Sequence, residues 1–257
     1  MPLTTPPPSD ISPRRTAFFL DVDGTIAAIV PDPVDARVTP EDVAVLAQLH
    51  DSAGGALALI SGRDIAQLDR IVQPLRLPAV GVHGLEWRLA DAPVTRIAFD
   101  AQAHEGLVRR VAAFADSAHG LTCEPKPGSV ALHFRNRPDL EATCAAFMQA
   151  QADADSRLAL LEGKMVRELI FGGQTKGDAV ARLMTQPPFA GRDAFFAGDD
   201  VTDEAAFRRV NMMGGISIKI GTGATSARYR LPDPEGLIAY LAGLQKDADG
   251  HTEHFNP

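Results

Sequence analysis

Phe18-Phe19-Leu20-Asp21-Val22-Asp23-Gly24-Thr25 is the stretch that decides the fold of this 257-residue chain. It contains the end of an apolar run, Thr16–Leu20, that stops at two aspartates and a glycine. A short run that is apolar at nearly every position is typical of a parallel strand buried on both faces. The polar residues after it mark the loop at its carboxyl end. The stretch therefore predicts the first strand of a parallel sheet that delivers carboxylates to a cleft.

The same arrangement recurs along the chain. Ala56–Ile60 is a second apolar run and is followed by Ser61-Gly62-Arg63, while Asp193–Ala197 is followed by Gly198-Asp199-Asp200. Segments with apolar residues at helical spacing separate these runs, and Lys176 stands at the start of one of them. Strands that alternate with helices predict a Rossmann-like, mostly parallel α/β sheet.

The middle of the chain has a different pattern. Between residues 93 and 172 it reads as strand, helix, two strands, helix and two strands, and Ser129–Arg135 alternates along its length. Alternation is typical of an antiparallel sheet with one covered face and one open face. We expect an inserted α+β cap domain at 93–172, between core-domain segments at 16–92 and 173–257. A disordered, proline-rich leader is expected at 1–15.

Composition and charge narrow the class of protein. Hydrophobic residues are 45% and charged residues 23%, as in ordinary globular chains, and the formal net charge of −8 disfavours binding to nucleic acid. No apolar run approaches the ~20 residues of a membrane span, and no signal-peptide pattern is present. Cys123 and Cys144 stand in no metal-ligand spacing, so we expect reduced thiols. The expectation is a cytoplasmic protein acting on a small molecule, with no nucleic-acid, membrane or obligate protein partner.

Acidic residues, a hydroxyl and a lysine converge if the strands are parallel neighbours. Ligands of open α/β sheets bind at the carboxyl ends of the strands, which places Asp21, Asp23, Ser61, Lys176 and Asp199 in one cleft. Carboxylates gathered there repel each other, and a hard divalent cation with oxygen ligands offsets that repulsion. A lysine and backbone N–H groups beside the cation complete a site for a dianion. The residues alone therefore indicate phosphate together with Mg²⁺.

Four segments together resemble the motifs of the haloacid-dehalogenase-like phosphatases. They are Asp21-Val-Asp23-Gly-Thr25, Ile60-Ser61-Gly62-Arg63, Thr175-Lys176-Gly177-Asp178 and Gly198-Asp199-Asp200-Val-Thr-Asp203-Glu204. The resemblance extends over Thr16 to Leu244. It implies that Asp21 is the nucleophile that forms an aspartyl-phosphate and that Asp23 acts as acid and then as base.

The same resemblance implies further sets of core residues. The catalytic set is Asp21, Asp23 and Lys176. The Mg²⁺ ligands are Asp21, the backbone carbonyl of Asp23, and Asp199. Oxygens of the phosphoryl group are bound by Thr25, Ser61, Gly62 and Lys176. Metal-bound water is oriented from behind these ligands by Asp203, together with Asp200.

The inserted segment resembles the cap of the trehalose-6-phosphate phosphatases, and so does the turn His83-Gly84-Leu85-Glu86. In that family, cap carboxylates and a lysine hydrogen-bond the glucose hydroxyls. The resemblance implies a substrate-binding set of Glu124, Lys126, Arg135 and Glu168, with His133 beside it. A carboxylate placed among apolar residues, as Glu168 is, also needs a protein or sugar partner. Pro125 and Pro127 make the segment around Lys126 stiff and poor at strand pairing.

Two other interpretations remain open. The same chemistry can serve another sugar phosphate, such as sucrose 6-phosphate or mannosyl-3-phosphoglycerate. A phospho-acceptor signalling module also gathers acidic residues, a hydroxyl and a lysine, but it has no inserted cap and no acid/base aspartate two residues after its acceptor. The expectation carried forward is a Mg²⁺-dependent phosphatase that hydrolyses trehalose 6-phosphate through an aspartyl-phosphate.

Overall fold

The computed structural model describes residues 6–30, 32–89, 92–172 and 174–250. The strands found there are β1 Thr16–Leu20, β2 Leu57–Ile60, β3 Ala79–Gly81, β4 Glu86–Arg88, β5 Thr95–Arg96, β6 Thr122–Lys126, β7 Ser129–His133, β8 Leu158–Gly163, β9 Val166–Phe171, β10 Asp193–Gly198, β11 Ile216–Ile220 and β12 Tyr229–Leu231. The α-helices found there are α1 Pro40–Ser52, α2 Ile65–Ile71, α3 Ala101–Asp116, α4 Glu141–Ala154, α5 Lys176–Leu183, α6 Glu204–Met212 and α7 Pro234–Gly250.

Within the described residues, the strands form two sheets. The larger sheet has the order β12-β11-β10-β1-β2-β3-β4-β5, parallel from β12 to β3 and antiparallel at β4 and β5. The smaller sheet has the order β6-β7-β9-β8 and is antiparallel throughout. This confirms the α/β fold class, with a mostly parallel sheet and an inserted α+β portion.

β1 occupies the middle of the larger sheet, between β10 and β2. All five of its residues are buried, which explains why the run is apolar rather than alternating. Phe18 packs on Phe195 of β10 at a ring-centroid distance of 5.1 Å, and Phe19 packs on Phe189 at 5.4 Å. Packing on both faces leaves β1 little freedom, so the loop that follows Leu20 begins from a rigid position.

Hydrogen-bonded caps fix the helix starts that lie near the carboxyl edge of this sheet. Asp64 accepts from the Gln67 N–H and begins α2, directly after the loop that follows β2. Thr175 and Asp178 exchange side-chain and backbone hydrogen bonds, which fixes the first turn of α5. A cap of this kind is worth about 1 kcal/mol of helix stability. Lys176 is the first residue of α5, so the cap also fixes where its side chain begins.

The smaller sheet is covered on both faces. One face packs on α3 and α4 through a separate apolar core that includes Val111, Leu132, Phe134, Met148 and Leu169. The other face lies toward the larger sheet, where Ser129 and Ala131 are completely buried. The expected open face is therefore wrong for these residues, because the larger sheet covers them.

The structure also differs from three expectations about local structure: the domain boundary, the leader and the pairing of Pro125. β5 pairs with β4 in the larger sheet, so a boundary at residue 93 lies too early. In the described part of the leader, Pro13 is buried and the Pro8 carbonyl accepts from the Tyr240 hydroxyl at 2.7 Å, so disorder is wrong for this part. Residues 1–5 and Gly173 lie outside the described residues. Pro125 is paired within β6, since an edge strand tolerates proline.

Among the described helices, none combines the length and the apolar composition that crossing a bilayer requires. The two cysteines are both free thiols, Cys144 in the core of the smaller sheet and Cys123 half-buried on β6.

Candidate active site

The carboxyl ends of β1, β2 and β10 meet at a cleft between the two sheets. A cavity of about 220 Å³ in this cleft is lined from the larger sheet by Asp21, Asp23, Ser61, Gly62, Lys176, Asp199 and Asp200. It is lined from the smaller sheet by Glu124, Lys126, His133, Arg135 and Glu168. The structure thus brings together most of the residues that the sequence predicts, because parallel strands end at the same edge of a sheet.

Lys176 is a buried ammonium group between two buried aspartates. Its Nζ donates to Asp21 Oδ1 at 2.7 Å and to Asp203 Oδ1 at 2.6 Å. Burial alone would lower the pKa of Lys176, but Asp203 and Asp21 outweigh it and hold the pKa above its ordinary value. The lysine therefore stays charged at the base of the cleft.

Asp21, Asp199 and Asp203 form a carboxylate cluster whose candidate ligand atoms lie within 4.8 Å of one another. Burial raises the pKa of Asp21; Lys176 opposes this rise, and Asp203 and Asp199 add to it. Burial, with Asp203 and Asp200 nearby, raises the pKa of Asp199 to about 7. One lysine does not compensate three carboxylates in so small a volume. Oxygen donors with excess negative charge fit a hard divalent cation such as Mg²⁺.

Asp23 turns its carboxylate away from this cluster and toward Arg63. The Nε of Arg63 donates to Asp23 Oδ2 and one terminal nitrogen donates to Oδ1, both at 2.6 Å. This bidentate geometry is the strongest form of such a pair. The carboxylate of Asp23 thus lies outside the cluster, and only its backbone carbonyl is left for the implied metal role. The sequence analysis assigned no role to Arg63. A guanidinium group that can bind a carboxylate through two nitrogens, in a loop next to the one that contains Asp21 and Asp23, could have indicated this pairing.

Thr25, which the resemblance implies as a phosphate ligand, lies behind Asp21. The residue is completely buried and is absent from the lining of the described cavity. Its hydroxyl donates to Asp21 Oδ2 at 2.9 Å. Because Lys176 binds the other oxygen, both oxygens of the Asp21 carboxylate are held in place.

The loop after β10 is held from two sides. The Asp200 N–H donates to Asp203 Oδ2 at 2.9 Å, so Asp203 joins the loop to Lys176. Lys219 at the end of β11 is buried, and its ammonium donates to the Asp199 carbonyl. Lys219 was missed by sequence reasoning because it sits inside an otherwise apolar strand. Gly24, at φ +79°, leaves the space that the Asp199 carboxylate occupies.

Glu168 on β9 is a buried carboxylate with three hydrogen-bond donors around it. It accepts from Ser129 Oγ at 2.6 Å, from Lys126 Nζ at 3.2 Å and from His83 Nε2 at 3.2 Å. Burial alone would raise the pKa of Glu168, but Lys126 and His83, together with the hydrogen bonds, lower it well below its ordinary value. The prediction that this carboxylate needs a partner is confirmed, and the partners are protein groups.

The remaining predicted residues of the smaller sheet lie along the same wall. Glu124 Oε2 accepts from His133 Nε2 at 2.8 Å and lies 3.8 Å from Lys126 Nζ. Burial opposes a charged Lys126, yet Glu168 and Glu124 raise the pKa of this lysine. Arg135 is exposed and lies just past the end of β7. It lines both the first cavity and an adjoining one of about 420 Å³, so the cleft continues beyond Glu124.

A family model described as trehalose-phosphatase matches residues 19–235. A probable trehalose-phosphate phosphatase of Sinorhizobium fredii (strain NBRC 101917 / NGR234) is 41% identical over 231 residues, which are 89% of this chain and 87% of the relative. A trehalose-6-phosphate phosphatase of Escherichia coli (strain K12) is 41% identical over 242 residues, which are 93% and 89% of the two chains.

Solved structures show the same fold. The C-terminal domain of the trehalose-6-phosphate phosphatase of C. albicans superposes with a TM-score of 0.80 at 24% identity, over 91% of this chain and 92% of that one. A haloacid dehalogenase-like hydrolase of B. subtilis superposes with a TM-score of 0.65 at 13% identity, over 90% and 99% of the two chains. At these identities, the likeness shows the architecture and not the substrate.

Proposed function

This chain belongs to the trehalose-phosphatase family and is a phosphatase, and on that premise we propose that it hydrolyses trehalose 6-phosphate to trehalose and phosphate. The observation that carries the proposal is the pair of opposed polar walls in the cleft. Asp21, Lys176 and Asp199 line the cavity from the larger sheet, while Glu124 and its partner His133 line it from the smaller sheet. One wall suits a phosphate, and the other suits hydroxyl groups.

Asp21 is proposed as the nucleophile. Its two oxygens are oriented by Lys176 and Thr25, which supports an attack in one fixed direction. One carboxylate oxygen forms a bond to phosphorus, the bond from phosphorus to the sugar oxygen breaks, and an aspartyl-phosphate results. Water then attacks phosphorus, the Asp21–phosphorus bond breaks, and inorganic phosphate leaves. Ser61, Gly62 and Lys176 bind the phosphoryl oxygens during both steps.

Asp23 is proposed to move the protons of both steps. It gives a proton to the departing sugar oxygen, and it takes a proton from the attacking water. In the described arrangement Arg63 occupies both oxygens of Asp23. The incoming phosphate is an anion that competes for this guanidinium. We infer that Arg63 releases Asp23 when the phosphate arrives, which frees the Asp23 side chain for these two proton transfers.

Mg²⁺ is proposed to be held by Asp21, the Asp23 carbonyl and Asp199, with Asp200 and Asp203 behind them. The excess of carboxylates over lysine in the cluster supports this assignment. When bound, the cation would neutralise charge on the phosphoryl oxygens. Asp203 accepts from both Lys176 and the Asp200 N–H, so its part is to hold these two groups at a fixed distance from each other.

The sugar is proposed to contact Glu124, Lys126, Arg135 and Glu168. Glu168 holds three donors on its two oxygens, which leaves room for one sugar hydroxyl. Glu124 is less buried and has more acceptor capacity to offer. The adjoining cavity of about 420 Å³ shares Glu124 and Arg135 with the first, which gives space for a second sugar ring. Ligand sites of ~300–1,000 Å³ are the usual size for small molecules.

The test is phosphate release from trehalose 6-phosphate, sucrose 6-phosphate, mannosyl-3-phosphoglycerate and glucose 6-phosphate, each with Mg²⁺ and with EDTA. We expect kcat/KM for trehalose 6-phosphate to exceed the others by at least ~100-fold, because polar groups left unpaired by the wrong sugar penalise it. Activity should vanish with EDTA and return with Mg²⁺. Preference for another sugar phosphate would overturn the substrate and leave the phosphatase chemistry in place.

A further inference from the structure

We propose that His83 is a positioning residue for this reaction, joining Glu168 of the smaller sheet to the loop after β2 on the larger sheet. The inference rests on the proposed function and deepens it. The phosphate end of the substrate meets one sheet and the sugar end meets the other. A residue that contacts both walls therefore fixes the position of the sugar site relative to the phosphate site.

The backbone at His83 is strained. Val82, His83 and Gly84 have φ values of 46°, 48° and 99°, in the left-handed region that a β-branched residue such as Val82 rarely adopts. Strain of this kind persists where the surroundings hold it, and it collects at functional sites. Here the surroundings are the loop after β2. The Val82 N–H donates to the Arg63 carbonyl at 2.9 Å, and the His83 N–H donates to the Ser61 carbonyl at 3.3 Å.

The imidazole of His83 fills the space between this loop and the smaller sheet. A Cβ added to Gly62 would lie 2.5 Å from His83 Nε2, so the glycine leaves the ring its room. The same Nε2 lies 3.2 Å from Glu168 Oε2. An ionised carboxylate oxygen can only accept, and therefore Nε2 carries the proton. One buried ring thus contacts both the phosphate side and the sugar side of the cleft.

The other bonds of Glu168 show what His83 adds. Ser129 holds Oε1, and Lys126 shares Oε2 with His83. Ser129 and Lys126 both belong to the smaller sheet, so they move with it and carry Glu168 along as a unit. His83 belongs to the larger sheet. Its bond therefore ties the orientation of Glu168 to the distance between the two walls.

The contact between the sheets does not depend on the imidazole alone. Val82, Leu85 and Ile170 form an apolar cluster between the strained turn and β9. Burial of these side chains holds the smaller sheet against the turn. Removal of the His83 ring should therefore leave a folded protein in which the two sheets remain in contact. Glu168 would no longer be held in a fixed position relative to the loop after β2.

The first test compares His83→Ala, His83→Gln and wild type on trehalose 6-phosphate and on a small aryl phosphate that does not reach Glu168. We expect His83→Ala to lower kcat/KM for the sugar phosphate by at least ~10-fold and to change that for the aryl phosphate by less than ~3-fold. Gln places an amide N–H near the position of Nε2 and should recover most of the loss. His50→Gln, in α1 and outside the cavity, is the matched control and should match wild type. Equal losses on both substrates, or a Gln variant as impaired as Ala, would overturn the inference.

A second test does not depend on the substrate. Urea unfolding of His83→Ala, Glu168→Gln and the double variant forms a double-mutant cycle. If the two side chains act through each other, the double variant loses less stability than the single losses predict together. Additive losses would overturn the contact. A wild-type protein that ignores trehalose 6-phosphate but shows this coupling would overturn the proposed substrate alone.

Discussion

The two walls of the cleft differ in how they are built. Asp21, Lys176 and Asp203 come from strand ends and a helix start of a parallel sheet, and each is at most 4% exposed. Glu124 and Lys126 come from an antiparallel edge strand, with side chains 36% and 13% exposed. In the buried wall, Lys176 offsets only part of the negative charge of the Asp21, Asp199 and Asp203 cluster. The more open wall has acceptors to spare.

The two walls have separate roles in a phosphatase, because one contacts the phosphate group and the other contacts the sugar. The phosphate group is common to all phosphate esters, so the groups that treat it can be buried, rigid and independent of the sugar. The groups that bind the sugar must be exposed to water in the free enzyme, since each sugar hydroxyl replaces a water molecule at those positions. Substitutions on the wall that contains Asp21 and Lys176, the first wall, should affect every substrate. Substitutions on the wall that contains Glu124 and Lys126, the second wall, should affect sugar phosphates alone. The predictions below test that division, in order of expected effect.

Asp21→Asn should reduce turnover to background on both the sugar phosphate and the aryl phosphate, because the nucleophile and a metal ligand are lost together. The same change removes one negative charge from an over-acidic cluster. We therefore expect the variant to be at least as stable as wild type in EDTA. Phosphate release and thermal unfolding measure the two effects. More than a trace of activity on either substrate would contradict the covalent mechanism.

Asp23→Asn should separate the substrates although it lies on the first wall. A sugar alkoxide needs a proton to leave, whereas a nitrophenolate does not, and loss of general acid catalysis costs ~10²–10⁴-fold. The first chemical step should slow by that factor on the sugar phosphate and much less on nitrophenyl phosphate. Rapid-quench measurement of that step decides the matter. Equal slowing with both leaving groups would remove the acid role from Asp23.

Glu124→Gln should lower kcat/KM for trehalose 6-phosphate by ~10-fold, or about 1.4 kcal/mol of transition-state binding. The aryl phosphate should be hydrolysed as before, because it does not extend to β6. Glu141→Gln is the control, since Glu141 is an exposed acid that pairs with Arg167 outside the cavity. A loss on both substrates would show that Glu124 supports the assembly of the cleft rather than the sugar.

Stability should depend on pH when the metal is removed. The pKa of Asp199 is raised to about 7 by burial and by Asp203 and Asp200, so the folded state holds a proton that the unfolded state has lost. This contribution is fully present below pH ~4 and is lost as the pH rises through 7. In EDTA we expect the free energy of unfolding to fall by at least ~1.4 kcal/mol between pH 5 and pH 8, the value of one pKa unit.

Mg²⁺ is the control for that measurement. A cation in the cluster takes the place of the proton, so the fall between pH 5 and pH 8 should shrink when Mg²⁺ is present. Thermal unfolding at matched ionic strength gives the comparison. A decline that is the same with and without Mg²⁺ would place the titrating group elsewhere in the molecule.

Much of the first wall could be predicted from the sequence. Asp21, Ser61 and Asp199 follow apolar runs directly, and the parallel arrangement of those runs brings their ends together whatever the details of packing. Helices α1 and α2 also begin at local caps, where the Thr39 and Asp64 side chains accept from backbone N–H groups three residues later. These features depend on residues that are close together in the chain, so they can be predicted from the sequence.

The partners of the polar side chains could not be predicted in the same way. Thr25 sits within the first motif, but only its burial shows that it orients Asp21. Alternation along β7 indicates two faces, but it does not say that the larger sheet covers the second one. The prediction of an open face was wrong because a sheet pattern contains no information on what lies opposite.

The sequence by itself determined the parallel sheet and the residues at its carboxyl edge, because strand burial and helix capping act over a few neighbouring residues. Only the tertiary structure decided that Arg63 holds Asp23 and that His83 holds Glu168. These pairs are 40 and 85 residues apart in the chain. The first pair forms because β1 and β2 are neighbours in the larger sheet. The second pair depends on the distance between the two sheets, which is set by packing throughout both cores rather than by any local pattern.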